Sequence, residues 1–156
     1  RTGGRLEGDT LLVKTQQPKP VKLEVWDNYG SPVERIETGD PRWSWKGQWQ
    51  VREAKRPSRF SSAKGAEASI AFEGTGAIVV GPYLAAGGKA DVYLDGKLDR
   101  TIDVYPDEDR IKQAEAVWHA FGLRPGKHTV RVAVRGEPYP GSKGAEIQIE
   151  DIVVFR

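Results

Sequence analysis

Gly126-Lys127-His128-Thr129-Val130-Arg131-Val132-Ala133-Val134-Arg135 is the stretch on which the fold turns. His128, Val130, Val132 and Val134 fall on one face of an extended chain, and Thr129, Arg131, Ala133 and Arg135 on the other. A period of two held this long is the mark of a half-buried β-strand. The same alternation runs outward from it. Ala90 to Val104 reads as two strands around Asp95-Gly96, a strong short hairpin signal, with Val92 and Leu94 leading in and Ile102 and Val104 leading out.

Further strands are expected over Ala68–Phe72 and Ala77–Gly81, separated by Gly74-Thr75-Gly76, a turn read as needing residues tolerant of positive φ. Val117–Gly122 is another apolar piece, closed by Leu123-Arg124-Pro125-Gly126, and Ala145–Phe155 ends the chain in a long stretch of strand composition. Before residue 50 the signal weakens to Thr10–Val13, Val21–Trp26 and Gln48–Arg52. Asp107–Val117 alone has room for a turn or two of helix. About ten short strands at this spacing give an all-β antiparallel sandwich or barrel. The expectation is one domain over residues 1–156, with 1–42 supplying N-terminal strands and 43–156 the main body.

Composition narrows the function. The 156 residues carry 24 Lys and Arg against 22 Asp and Glu, a net charge of +2 that gives no reason to expect nucleic acid as a partner. No apolar run approaches the roughly 20 residues of a transmembrane helix, so no membrane partner is expected. Without cysteine, disulfides and thiolate metal sites are excluded. Without methionine even at position 1, the chain reads as a domain excised from a larger protein. Gly at 18 and Pro at 10 suit many tight turns.

Strands that alternate in direction send their connections alternately to the two ends of a sandwich. One end then receives Gly74–Gly76, Asp95–Lys97 and Gly122–Gly126, all short. The other receives Glu53–Glu67, Pro82–Lys89, Pro106–Glu115 and Gly136–Gly144, all long. Long loops gathered on one rim of a rigid scaffold are where binding sites sit.

Trp43-Ser44, Trp49, Gly65-Ala66, Phe72-Glu73-Gly74-Thr75-Gly76, Val92-Tyr93-Leu94-Asp95-Gly96, Asp103-Val104-Tyr105, Gly122-Leu123 and Gly126-Lys127-His128-Thr129 occur in an order that resembles one module type. It is that of the galactose-binding-like jelly-roll modules that accompany bacterial glycoside hydrolases, polysaccharide lyases and carbohydrate esterases. The resemblance covers Trp43 to the C-terminus and rests on scaffold motifs. It implies a non-catalytic jelly roll, often stabilised by calcium, whose apical loops or concave face hold a sugar. It also implies a catalytic domain in the same protein and a secreted or periplasmic location.

The residues give no catalytic candidates. With two histidines, a zinc hydrolase lacks ligands, and His128 is in phase with the core. No Gly-x-Ser-x-Gly elbow or phosphate-cradling loop is present. Aromatic rings are the better lead, because flat rings cover the apolar faces of sugars. Tyr83 and Tyr139 fall on the long-loop rim, braced by Pro82 and by Pro138 and Pro140; each ring either meets ligand or caps the core below. Trp43 and Trp45, in a Pro- and Arg-rich stretch outside any clear strand, either plug the sandwich or stack on ligand. Trp49 and Trp118 read as core, and Tyr93 and Tyr105 as rings on a sheet surface.

Arg52, Lys55, Arg56, Arg59 and Lys64, with Glu53 the one acid among them and Phe60 interleaved, read as a solvated loop or as contacts to phosphate or an acidic polysaccharide. Arg59 joins the candidate carbohydrate-binding set of Tyr83, Tyr139, Trp43 and Trp45. In Asp107-Glu108-Asp109, Asp107 and Asp109 are the candidate metal ligands should calcium bind, against the plainer reading of a solvated turn. The alternatives to a glycan-binding module are a structural sandwich packed on a parent hydrolase, and a glycoside hydrolase or lyase in its own right.

Overall fold

A computed structural model describes residues 4–7, 10–13, 30–106 and 112–156. The first strands, β1 (Gly4–Glu7) and β2 (Thr10–Val13), pair as a hairpin. Then follow β3 (Pro32–Glu37), β4 (Ser44–Lys46), β5 (Gln50–Arg52), β6 (Ser58–Ser61), β7 (Glu67–Gly74) and β8 (Gly76–Tyr83). The remainder are β9 (Gly88–Leu94), β10 (Lys97–Asp103), β11 (Lys112–Ala120), β12 (Gly126–Pro138), β13 (Ile147–Ile149) and β14 (Asp151–Phe155). The strand ladders are antiparallel, and no helix occurs among the described residues. The expected strand over Val21–Trp26 lies outside the described residues.

One layer is a five-stranded sheet in the order β10-β9-β12-β7-β4. The other combines β11-β8-β14-β3 with β13-β6-β5. Glu150 joins the two parts, its N–H reaching Val80 O at 2.8 Å, so residues 147–155 run as one interrupted strand. β12 decides the first layer: Val130, Val132 and Val134 are buried, and their neighbours in register are Ile70 and Ala68 of β7 and Leu94, Val92 and Ala90 of β9. Facing them are Ile36, Val79, Ile152, Val154 and Trp118, all at most 1% exposed. Trp118 is a core residue, as its strand position suggested, and its indole N–H donates to Asp99 Oδ2 at 2.8 Å.

The hairpin expected at Asp95-Gly96 is present. Asp95 takes φ 51° and Gly96 φ 81°, the paired positive values of a two-residue type I′ turn.

Three expectations are corrected. Gly74-Thr75-Gly76 is not a turn that needs positive φ; β7 and β8 lie in different sheets, and the chain crosses between layers there. Neither Gly74 nor Gly76 has positive φ. A Cβ at Gly74 would sit 2.3 Å from Phe155 O, and one at Gly76 would sit 2.8 Å from Ala120 O, so close backbone approach demands both glycines. The helix considered over Asp107–Val117 gives way to β11 from Lys112 onward. β11 slips register twice against β8 and holds Ala114 at φ 54°, which breaks the period of two that would have marked it as a strand. Trp45 lies in a strand, β4, opposite Ala68 of β7.

Connections divide between the ends as loop lengths suggested. At the tight end, Leu123 N–H bonds Thr75 O at 2.8 Å and Asp95 N–H bonds Thr129 O at 2.8 Å. At the opposite end, 84–87, 104–106 and 139–146 are tied together by Leu84 N–H to Val104 O at 2.8 Å, Lys143 N–H to Ala85 O at 3.0 Å and Glu146 N–H to Ala86 O at 2.8 Å. The long stretch Glu53–Glu67 is broken by β6.

Candidate functional site

Tyr139 stands on the loop-rich end. It follows the last residue of β12 and opens a tight turn closed by Ser142 N–H to Tyr139 O at 2.8 Å, with Gly141 at φ 91°. Pro138 and Pro140 fix the backbone on both sides. The ring is 37% exposed, and it stacks on Tyr105 with centroids 5.6 Å apart and planes at 19°. Tyr105 follows β10, held by its own N–H to Asp103 Oδ1 at 3.3 Å. The two rings form one stacked platform at that end.

The sequence reads Tyr105 as a sheet-surface ring. The signal that relocates it is the end of β10 at Asp103, which leaves Tyr105 in the long connection and not on the sheet. Tyr83 is the last residue of β8, at the same end, but it packs against the core cluster and is half-buried. Of its two readings, the packing favours a cap over the core.

The other candidates gather elsewhere. Trp43 is 6% exposed and belongs to the core, so its face is not open to a ligand; its indole N–H has no hydrogen-bond partner among the described residues. Trp45 stacks on Trp43 at 5.1 Å, Trp49 meets Trp45 edge-on at 5.0 Å, and the Arg59 guanidinium lies 4.8 Å over the Trp45 ring. Trp49 anchors the group through its indole N–H, shared between Lys46 O and Glu67 O at 3.0 and 3.1 Å. Trp43, Trp45 and Arg59 are therefore brought together, as a plug along the β4 edge of the sandwich.

Asp107 and Asp109 lie outside the described residues. Among the described residues no three acids or histidines converge to hold a metal ion, so these residues do not by themselves form a calcium site. His128 is committed as well. Its ring rests on Phe72 at 5.6 Å, Nδ1 is 2.7 Å from Asp95 Oδ2, and Nε2 is 2.7 Å from Arg124 O.

Two layers, the strand order and the gathering of loops at one end can be compared with known structures. Carbohydrate-binding module CBM36, in complex with calcium and xylotriose, matches with a TM-score of 0.51 at 13% identity, over 80% of this chain and 100% of that one. The chain shares with that module an all-β jelly-roll sandwich fold. A two-domain esterase active on acetylated mannans matches with a TM-score of 0.61 at 14% identity, over 90% of this chain and 40% of that one. A family two carbohydrate esterase from Cellvibrio japonicus matches with a TM-score of 0.51 at 12% identity, over 78% of this chain and 33% of its own. The chain thus spans well under half the length of these esterases. No family model matches the sequence, and no curated protein matches it. The jelly-roll resemblance drawn from the scaffold motifs agrees with these structures at the level of fold.

Proposed function

We propose that the chain is a non-catalytic carbohydrate-binding module that holds a glycan on its loop-rich end, with Tyr139 as the stacking face. The observation that carries this reading is the Tyr139–Tyr105 pair: an exposed, proline-braced ring on a buttressed platform, at the end where the long connections meet. A ring already fixed loses little conformational freedom on binding. The fold supports the reading, since the CBM36 neighbour is a glycan-binding module of nearly the same extent. A catalytic domain elsewhere in the same protein is the proposed partner, its rate raised by the effective concentration of tethered substrate. The proposed location is outside the cytoplasm, secreted or periplasmic.

The exposed large apolar side chains among the described residues are Val33, Val51, Leu98 and Tyr139, on β3, β5, β10 and the 139–146 connection. Scattered singly, they do not favour the alternative of a docking surface for a parent hydrolase.

Affinity electrophoresis in xylan and acetylated mannan gels, with calcium and again with EDTA, tests the proposal. Retention by at least one polymer and its loss in Tyr139→Ala are expected, with the melting temperature of the variant unchanged. Retention that EDTA abolishes would direct attention to Asp107 and Asp109. Undiminished retention of Tyr139→Ala would sink the rim assignment.

A further inference from the structure

The outer face of the β13-β6-β5 sheet carries a group used by neither the core nor the rim. Register places Gln50, Arg52, Ser58, Phe60 and Gln148 on one side of this sheet. Ile147 and Ile149 point the other way, into the core. The Arg52 guanidinium lies 4.0 Å over the Phe60 ring. Its Nη1 donates to Glu146 Oε1 at 2.9 Å and to Gln148 Oε1. The Gln148 amide in turn donates to the Ser58 hydroxyl at 2.7 Å in a buried contact. Ring, carboxylate and amide together fix the guanidinium plane.

Both protons of Nη1 are thereby engaged. Among the described residues nothing bonds Nε or Nη2 of Arg52, and these two nitrogens form one edge of the guanidinium. Two parallel N–H groups in that fixed spacing match the two oxygens of a carboxylate. The Arg52 side chain is 43% exposed, and β5 is the outermost strand of its sheet. The connection 53–57 adds exposed Lys55 and Arg56 beside it, although the Arg56 charge also faces Glu150 and Asp151.

We infer that this face binds the carboxylate of an acidic sugar, a uronic acid residue within a glycan, with Arg52 as the two-pronged contact and Lys55 as a second positive charge. The inference rests on the proposed glycan-binding function and names a ligand class at a second place on the molecule. A nucleic-acid track would need several cations in line and uncovered aromatic faces. Here the one aromatic ring is already covered by Arg52, and Glu53 and Glu146 sit in the same patch, which suits one carboxylate better than a polyanion.

Titration calorimetry of the whole chain tests this with oligogalacturonate, the same oligosaccharide reduced at its carboxyl groups, neutral xylo-oligosaccharide, inositol hexaphosphate and a single-stranded oligonucleotide. Binding of oligogalacturonate, loss on carboxyl reduction, and weakening as NaCl is raised to about 0.5 M are expected. Arg52→Lys keeps the charge without the fork and should weaken uronate binding by about tenfold or more. Lys55→Glu touches neither the core nor the Arg52 braces, so it reads the same site even if Arg52→Lys lowers the melting temperature. Equal affinity for the reduced sugar, unchanged affinity in both variants, or tighter binding of the phosphate or the oligonucleotide would each overturn the inference. Retention in the neutral xylan and acetylated mannan gels reports on the rim alone, so failure in both counts against the Tyr139 proposal while failure of oligogalacturonate counts against this one.

Discussion

His128 shows how one side chain couples the tight end of the sandwich to pH. Arg124 O accepts only, so Nε2 must donate to it; Asp95 Oδ2, when ionised, also accepts only, so Nδ1 must donate too. Both donations require the imidazolium. Asp95 beside it accordingly raises the His128 pKa above 6.5, and the hydrogen bond from His128 lowers that of Asp95 below 3.8. A raised histidine contributes stability that is complete below pH 6.5 and lost as pH rises through the folded value. The lowered aspartate contributes stability present above pH 3.8 and lost as pH falls through its folded value. The pair therefore holds best between those limits. Urea unfolding at about pH 5.5 and pH 8 should show a stability difference that disappears in His128→Gln, the variant itself losing about 1–2 kcal/mol at the lower pH. An identical pH slope in the variant would show that this pair is not the cause. The sequence places His128 on the core face with a satisfied ring nitrogen. What it lacks is the partner, because Asp95 is 33 residues away and meets the ring only once β9 and β12 pair.

Strands are legible where nothing interrupts their period and obscure where bulges or crossings do. β12 and the β9–β10 hairpin announce themselves through alternation and Asp-Gly. β11 does not, since its two register slips erase the alternation. Glycine is ambiguous in the same way, because one letter serves two needs. Gly96 is there for its φ of 81° and has open space where a side chain would project, whereas Gly74 lacks positive φ and lies against Phe155 O. The two should separate on substitution. Gly96→Asn, a residue that visits the left-handed region more readily than others, is expected to cost no more than about 1 kcal/mol. Gly74→Ala should cost about 1–3 kcal/mol, since the obstacle is backbone that has no room to move aside. Matching losses in the two variants would show the crossing is looser than its contacts imply. The tryptophan plug is a third element of this kind: Trp45→Ala removes a ring held by Trp43, Trp49 and Arg59 and should lower stability by about 3 kcal/mol. Its two readings stay open in the sequence because β4 is too short to show a period.

At the scale of the molecule, the His128–Asp95 clip and the proposed glycan contact at Tyr139 lie at opposite ends. Loop length alone separates the ends, since alternation of strand direction is a topological rule that tolerates ignorance of pairing. The pairing itself is not legible: β3 lies beside β14, and the Arg35–Asp151 ion pair at 2.6 Å joins residues 116 apart. Nor is Tyr105 legible as the support under Tyr139, because their contact depends on where β10 and β12 stop. The separation of ends has a testable consequence. His128→Gln acts on the turn end and should lower the melting temperature without changing retention in a glycan gel. Tyr139→Ala acts on an exposed ring and should abolish retention while moving stability by no more than about 0.5 kcal/mol. Sites that share no partner add, so the double variant should show each loss unaltered, within about 0.5 kcal/mol for stability. A coupling larger than that would mean that the two ends communicate through β12, the single strand that begins beside the His128 clip and ends at the Tyr139 turn. The rim would then be tuned by the same proton that holds the opposite end closed.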